Sequence, residues 1–152
     1  MNSPLPTPAT APRLDAQLCF ALYSTSLAMS KAYRKLLRGM GITYPQYLVL
    51  MVLWQQDGLT VSEIGARLFL DSATLTPLLK RMEAQDLLRR ERAKLDERQV
   101  VISLTPHGQQ LSTPAMEVQA QVLCASGCSA LEITRIKDEL VQLRQTLGKN
   151  AE

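Results

Sequence analysis

Between Leu87 and Thr105 the chain changes its period. "LLRRERA" (87–93) and "QVVISLT" (99–105) are short runs of strand character, the second rich in β-branched residues, and the charged stretch "KLDER" (94–98) joins them. Everything before and after this hairpin reads as helix. One cationic β-hairpin set into a helical chain leaves few architectures open.

From Leu14, apolar residues recur at Leu18, Leu22, Met29, Tyr33, Leu36 and Met40. The steps are mostly three, four or seven, which predicts one long amphipathic helix closed by "GMGIT" (39–43). Pro45 suits the first turn of a second helix, running to about Gln56 and broken by Asp57 and Gly58. Thr60 and Glu63 have capping-box spacing and open a short helix to about Leu68. Asp71 caps a fourth, "SATLTPLLKRMEAQ", with Pro77 placed to bend it. After the hairpin, Thr105 and Pro106 restart helix, and Ser129 with Glu132 opens the last one, to about Leu147. This order is that of a winged helix-turn-helix, so the expected class is mainly α with a small β-hairpin. Residues 1–12, with prolines at 4, 6, 8 and 12, are expected to form a disordered tail. Residues 13–152 are expected to form a single domain. Within it, 44–105 would be the reading part, and 13–43 and 106–148 the dimerisation helices. Ile133, Ile136, Leu140, Leu143 and Leu147 make a stripe suited to a partner helix or to the chain's own core.

The net charge of +3 says little about nucleic acid, so its distribution must decide. Lys80, Arg81, Arg89, Arg90, Arg92, Lys94 and Arg98 are seven of the seventeen Lys and Arg residues, all within 80–98. Glu83, Asp86, Glu91, Asp96 and Glu97 offset them in part, and a solvated mixed-charge face is the plain alternative. Position favours DNA, because the cationic hairpin follows directly on a helix-turn-helix pattern. The candidate recognition helix presents the hydroxyls of Ser72, Thr74 and Thr76 early, and Lys80 and Arg81 later. On the hairpin, Arg90, Lys94 and Arg98 are the DNA candidates, with Arg98 suited to a narrow minor groove. Asp96 is expected either to orient the Arg98 guanidinium or simply to shape the turn. The expected partner is double-stranded DNA, with a pseudo-palindromic site if the reader is a homodimer.

Other chemistries find little support. The chain has no Gly-rich phosphate loop and no G-x-S-x-G. It has one histidine, His107, expected at the surface, and Cys124 and Cys128 have C-x3-C spacing without a second ligand pair. No metal and no cofactor is expected. No apolar run approaches the ~20 residues of a membrane span, and the proline-rich start is no signal peptide. A cytoplasmic protein with reduced thiols, away from membranes, is the expectation. Cys19 then poses a question: core filler, metal ligand or reactive thiol. Helical steps from it reach Tyr23, Ser26, Ser30 and Tyr33, a face rich in hydroxyls, and donors near sulfur favour the thiolate. Phe20, Leu22, Met51 and Trp54 are candidates for an apolar lining around it.

"LTVSEIGARLFLDSATLTPLLKRME" followed by "DERQVVISLTPHG" resembles the MarR family of winged-helix repressors, with Asp96, Arg98, Leu104, Thr105 and Gly108 on the family's wing marks. "LCFALYSTSLAMSKAY" followed by "LLRGMGITYPQYLVLMVLW" is similar to the organic-hydroperoxide regulators of that family, the OhrR type. That resemblance implies a reactive cysteine near the start of the first helix, hydrogen-bonded by two tyrosines of a partner chain. Cys19, Tyr33 and Tyr44 fall on those positions, and Tyr23 on a further family tyrosine. Spacing agrees: fourteen positions separate Cys19 from Tyr33, roughly 21 Å along one helix. The resemblance to the two-cysteine branch also implies a resolving thiol, which Cys124 matches; Cys128 is the second candidate.

The expected function is therefore a redox-sensing repressor. Organic hydroperoxide oxidises Cys19, an intersubunit disulfide forms with Cys124, and the homodimer leaves its operator. The alternative is a MarR-type repressor released by a small lipophilic or phenolic ligand, with Cys19 only structural. An enzyme is not expected, because thiol peroxidases usually use an α/β fold and strand content here is low.

Overall fold

The computed structural model describes residues 11–151. Most of the expected tail, 1–12, lies outside them. A 3-10 turn, Leu14–Ala16, comes first, followed by α1 (Leu18–Leu37) and a second 3-10 turn, Arg38–Met40. The long first helix is thus interrupted. Gln17 is extended (φ −90°, ψ 121°) and starts α1 without a side-chain cap, while Gly41 at φ 68° ends the second turn. Next come α2 (Tyr44–Gln55), β1 (Leu59–Thr60), α3 (Val61–Leu68) and α4 (Ser72–Ala84). The hairpin is β2 (Leu88–Arg92) and β3 (Val100–Leu104), and α5 (Pro106–Gln110), α6 (Ser112–Ser126) and α7 (Ala130–Asn150) complete the chain.

The start signals work as local hydrogen bonds. Thr43 with Gln46, Thr60 with Glu63 and Ser129 with Glu132 form capping boxes. Asp71 Oδ1 accepts the Thr74 N–H at 2.7 Å, and α4 runs on through Pro77.

The sheet has three strands rather than two. Its order is β1-β3-β2, antiparallel throughout, with Leu59 opposite Ile102 and Arg90 opposite Ile102 on the other side. β1 is only two residues long, and Asp57 Oδ1 pins the turn before it to the Leu104 N–H at 2.9 Å. Side chains alternate, so Leu59, Leu88 and Ile102 face inward together and are buried. They meet Leu75, Leu79 and Met82 of α4 and Ile64 of α3 in one core cluster. The middle of the molecule is α2. Its sequence is apolar on nearly every side, and Gln46, Tyr47, Val49, Leu50, Val52 and Leu53 are all buried.

Two glycines permit close approach. A Cβ on Gly108 would fall 2.0 Å from the Leu87 carbonyl oxygen, and one on Gly65 2.6 Å from the Leu70 carbonyl oxygen. Gly108 sits where Thr105 clamps the wing base: the Thr105 N–H donates to Leu87 O, its hydroxyl donates to Asp86 O, and its oxygen accepts the Gly108 N–H.

The outer helices are differently used. α1 packs on α6 and α2. α7 buries none of its side chains in one copy, and Leu131, Ile136, Leu140 and Leu147 stay exposed. On α1, Leu18, Phe20, Leu27 and Met29 are exposed as well. Ile133 and Leu143 of the α7 stripe are half-buried, but no α7 residue joins the core cluster; the Arg144 guanidinium lies 4.3 Å above the exposed Phe69 ring. Among the described residues no single helix is long and apolar enough to cross a membrane.

Candidate functional site

Two clusters of side chains stand out: a group of phenols on α1 and α2, and a polar face on α4 and the wing. Tyr33, near the end of α1, and Tyr44, the first residue of α2, meet with ring centroids 4.4 Å apart. The turn between the helices folds them together. Tyr47, one helical turn after Tyr44, lies 5.9 Å from Tyr33 and 6.4 Å from Tyr44, and Trp54 meets Tyr47 edge-on at 6.2 Å. The Trp54 indole N–H donates to Gly108 O at 3.0 Å. Sequence reasoning did not assign Tyr47 to this cluster, although its i, i+3 spacing from Tyr44 placed both on one helix face.

Burial holds these phenols in the protonated form. The Tyr33 hydroxyl is pushed up to about 12, first by burial and then by Tyr44 and Tyr47; burial raises Tyr44 and Tyr47 in the same direction. None of the three hydroxyls is a sealed, unpartnered polar atom. At neutral pH they are therefore donors with room for an acceptor. A consequence for stability follows. Unfolded tyrosine ionises near pH ~10, below the folded Tyr33, so between about pH 10 and about 12 the unfolded chain has lost the proton that the folded chain keeps. Stability should be indifferent to these groups below pH 10 and should fall across that window. Urea melts followed against pH check this, and Tyr33→Phe should reduce the fall.

Cys19, in the first turn of α1, is exposed and free, and Cys124 and Cys128 near the end of α6 are also free. Cys124 is exposed; Cys128 is half-covered, with its thiol directed at Ser126 O, 3.6 Å away. In one copy the proposed lining does not enclose Cys19, since Phe20 is itself exposed. Tyr23, one turn on, is 64 % exposed. Cys19 and the Tyr33–Tyr44 pair thus lie near opposite ends of α1.

The DNA candidates divide by helical face. Ser72 and Thr76 share a polar niche of about 220 Å³ with Arg98 of the wing, together with Thr60, Ser62 and Gln99. Lys80, one turn beyond Thr76, lines the next niche with Glu83, Arg90 and Arg92. Thr74 and Arg81 point elsewhere, into a groove between α2 and α4. Arg90 stands apart from the exposed Lys94 and Arg98. It faces inward on β2, and Glu83 of α4 takes both its Nε–H and its backbone N–H at 3.0 Å. That pairing holds the Glu83 carboxyl below its usual range. Asp96 does not hold the Arg98 guanidinium: its Oδ1 accepts the Arg98 backbone N–H at 3.1 Å, so it shapes the tip of the wing. Sequence reasoning also missed Ser62 and Gln99, whose position depends on β1 joining the sheet. His107 is exposed, as expected. Among the described residues no three His, Cys, Asp or Glu side chains gather as metal ligands.

A helix-turn-helix whose second helix is flanked by a projecting hairpin, carried between long outer helices, defines a winged-helix regulator. The family model described as transcriptional regulator SarA/Rot matches residues 31–113. The organic hydroperoxide resistance transcriptional regulator of Bacillus subtilis strain 168 is 47 % identical over 135 residues, 89 % of this chain and 92 % of that protein. The solved structure of reduced AbfR bound to DNA superposes with a TM-score of 0.79 at 41 % identity, covering 92 % of this chain and 97 % of that one; AbfR is a protein of Staphylococcus epidermidis. The disulfide-formed AbfR gives 0.63 at 41 % identity, covering 90 % and 91 %. The chain belongs to the MarR family of winged-helix regulators, with the organic-hydroperoxide regulators of the OhrR type.

Proposed function

We propose that this chain is a homodimeric repressor that binds double-stranded operator DNA and lets go when organic hydroperoxide oxidises Cys19. The observation that carries the reading is the Tyr33–Tyr44 pair. Two protonated phenols stand 4.4 Å apart, and the only thiol of α1 lies near the far end of the same helix. A second copy whose α1 crosses the first can bring its Cys19 to these donors, and the uncovered apolar faces of α1 and α7 supply the surface for that copy.

The chemistry is balanced as follows. The Cys19 thiolate attacks the peroxide O–O bond, sulfur takes the terminal oxygen as a sulfenic acid, and the alkoxide leaves with a proton as an alcohol. Cys124 of the second copy then attacks the sulfenic sulfur; an S–S bond forms and water leaves. Phenol donors favour the thiolate and can protonate the departing alkoxide. The covalent bond between copies biases the spacing of the two α4 helices, which must sit about 34–36 Å apart to enter successive major grooves. Ser72, Thr76, Lys80 and Arg98 present the DNA-facing side, and Lys94 extends it along the wing. AbfR has been solved both as a disulfide form and bound to DNA, reduced and overoxidised. This chain superposes better on the DNA-bound forms (TM-scores 0.79 and 0.74) than on the disulfide form (0.63), which supports a disulfide rather than oxidation alone as the releasing event.

A non-reducing gel tests the disulfide. Peroxide-treated protein should migrate as a covalent dimer, and Cys124→Ser should remove that band almost completely. A band of undiminished intensity would transfer the resolving role to Cys128.

A second reading rests on the groove between α2 and α4. It is an open groove of about 870 Å³ walled by Pro45, Leu48, Leu68, Leu70 and Leu78, with Thr43, Gln46, Thr74, Arg81 and Gln85 as polar groups. A small lipophilic or phenolic ligand fits such a lining, and its binding there would act on α4 without oxidation.

A further inference from the structure

One buried amide joins the phenol cluster to the recognition helix. Gln46 is 4 % exposed, and both ends of its side chain are engaged. Its Oε1 accepts the Thr43 N–H at 3.0 Å, closing the cap of α2, and its Nε2 donates to Gln85 Oε1 at 2.8 Å. Gln85 is the C-cap of α4, and its own Nε2 lies 3.5 Å from Gly41 O in the turn that precedes α2. The turn that carries Tyr44 and the end of the helix that carries Ser72 and Thr76 are thus held by reciprocal side-chain contacts.

We propose that the Gln46–Gln85 bridge transmits the state of the phenol site to α4, with Gln85 as a positioning residue for DNA release. The proposal rests on the reading that Cys19 of a second copy engages Tyr44. Tyr44 lies two residues before Gln46 in the same helical turn. When Tyr44 follows a thiol that has been oxidised and drawn away, the Gln46 amide moves with it. Either the hydrogen bond breaks and strands a buried donor, which is costly, or the end of α4 follows. α4 has thirteen residues, a length of about 20 Å. A tilt of a few degrees imposed at Gln85 therefore moves the Ser72 end relative to a base edge. Hydrogen bonds to bases do not survive misplacements on the ångström scale.

The test uses the full-length dimer, a duplex selected from random-sequence DNA by the wild-type protein, and cumene hydroperoxide. Gln85 is exposed, so Gln85→Ala removes no core volume. The rate of Cys19 oxidation, read with a sulfenate-trapping probe, and the reduced-state Kd should stay within about twofold of wild type. The ratio of oxidised to reduced Kd should fall by about tenfold, which is the size of effect one partly buried hydrogen bond can carry. Gln85→Glu keeps an oxygen that accepts the Gln46 N–H, loses only the long 3.5 Å contact to Gly41 O, and should restore most of the ratio. A Gln85→Ala protein that releases DNA as wild type does overturns the proposal. So does one that already binds DNA poorly when reduced, or a Gln85→Glu protein that behaves like Gln85→Ala. Wild-type protein that keeps its DNA under peroxide overturns the redox reading itself, and the bridge proposal with it.

Discussion

The Cys19→Ser protein is expected to remain on its DNA at hydroperoxide concentrations that strip the wild type. Serine nearly preserves the size of the side chain, and Cys19 is exposed on α1. Fold and reduced-state affinity should therefore be unchanged. What disappears is the nucleophile, since a hydroxyl does not open an O–O bond under these conditions. A useful repressor must shift its affinity by far more than tenfold, each tenfold step being about 1.4 kcal/mol, and a full on/off shift requires about 5.5 kcal/mol. All of that should vanish with one atom, leaving a ratio of oxidised to reduced Kd near one. Fluorescence anisotropy on a labelled duplex, with and without cumene hydroperoxide, reads it directly. Continued release by the serine variant would favour the ligand-binding groove between α2 and α4 and would remove Cys19 from the mechanism.

Gly108→Ala should be the most damaging single substitution for stability. The added methyl would meet the Leu87 carbonyl oxygen at 2.0 Å and its carbon at 3.0 Å, and neither is the end of a flexible side chain. Relief requires parting α5 from the base of the wing. That motion stretches the Thr105 bonds to Asp86 and Leu87 and the indole bond from Trp54. Overpacking of this kind costs about 3 kcal/mol, and in a chain of this size that lowers Tm by about 10 °C. Gly148→Ala is the control, since nothing lies within 4 Å of the added carbon on the exposed α7. Its expected effect is a gain of up to about 1 kcal/mol from helix propensity. Chemical denaturation of both variants separates steric conflict from backbone preference. Equal behaviour of the two would mean that the close approach at Gly108 is not needed for folding.

How much of this was legible beforehand varied with the range of the interaction. Caps at Thr60, Asp71, Thr105 and Ser129 are closed by partners three residues away, and the chain order shows them plainly. β1 pairs with residues more than forty positions later, and two residues carry no alternation, so the sheet reads as a plain hairpin until Leu59 meets Ile102. The first helix read as longer than it is because the apolar spacing runs on through Gln17, where the backbone is extended. The family resemblance singles out Tyr33 and Tyr44, and the structure brings their rings together, whereas Tyr47 and the Gln46–Gln85 bridge join them only through packing. Arg90 shows the limit of reading charge: its cation counts toward a basic wing, yet strand alternation turns it inward to Glu83.

The chain has one tryptophan, and it is wedged between Tyr47 and the carbonyl of Gly108. Its emission is consequently a native optical gauge of the seam between the phenol-bearing helix and the wing. Any displacement of α2 against the base of the wing should therefore change that emission with no dye attached.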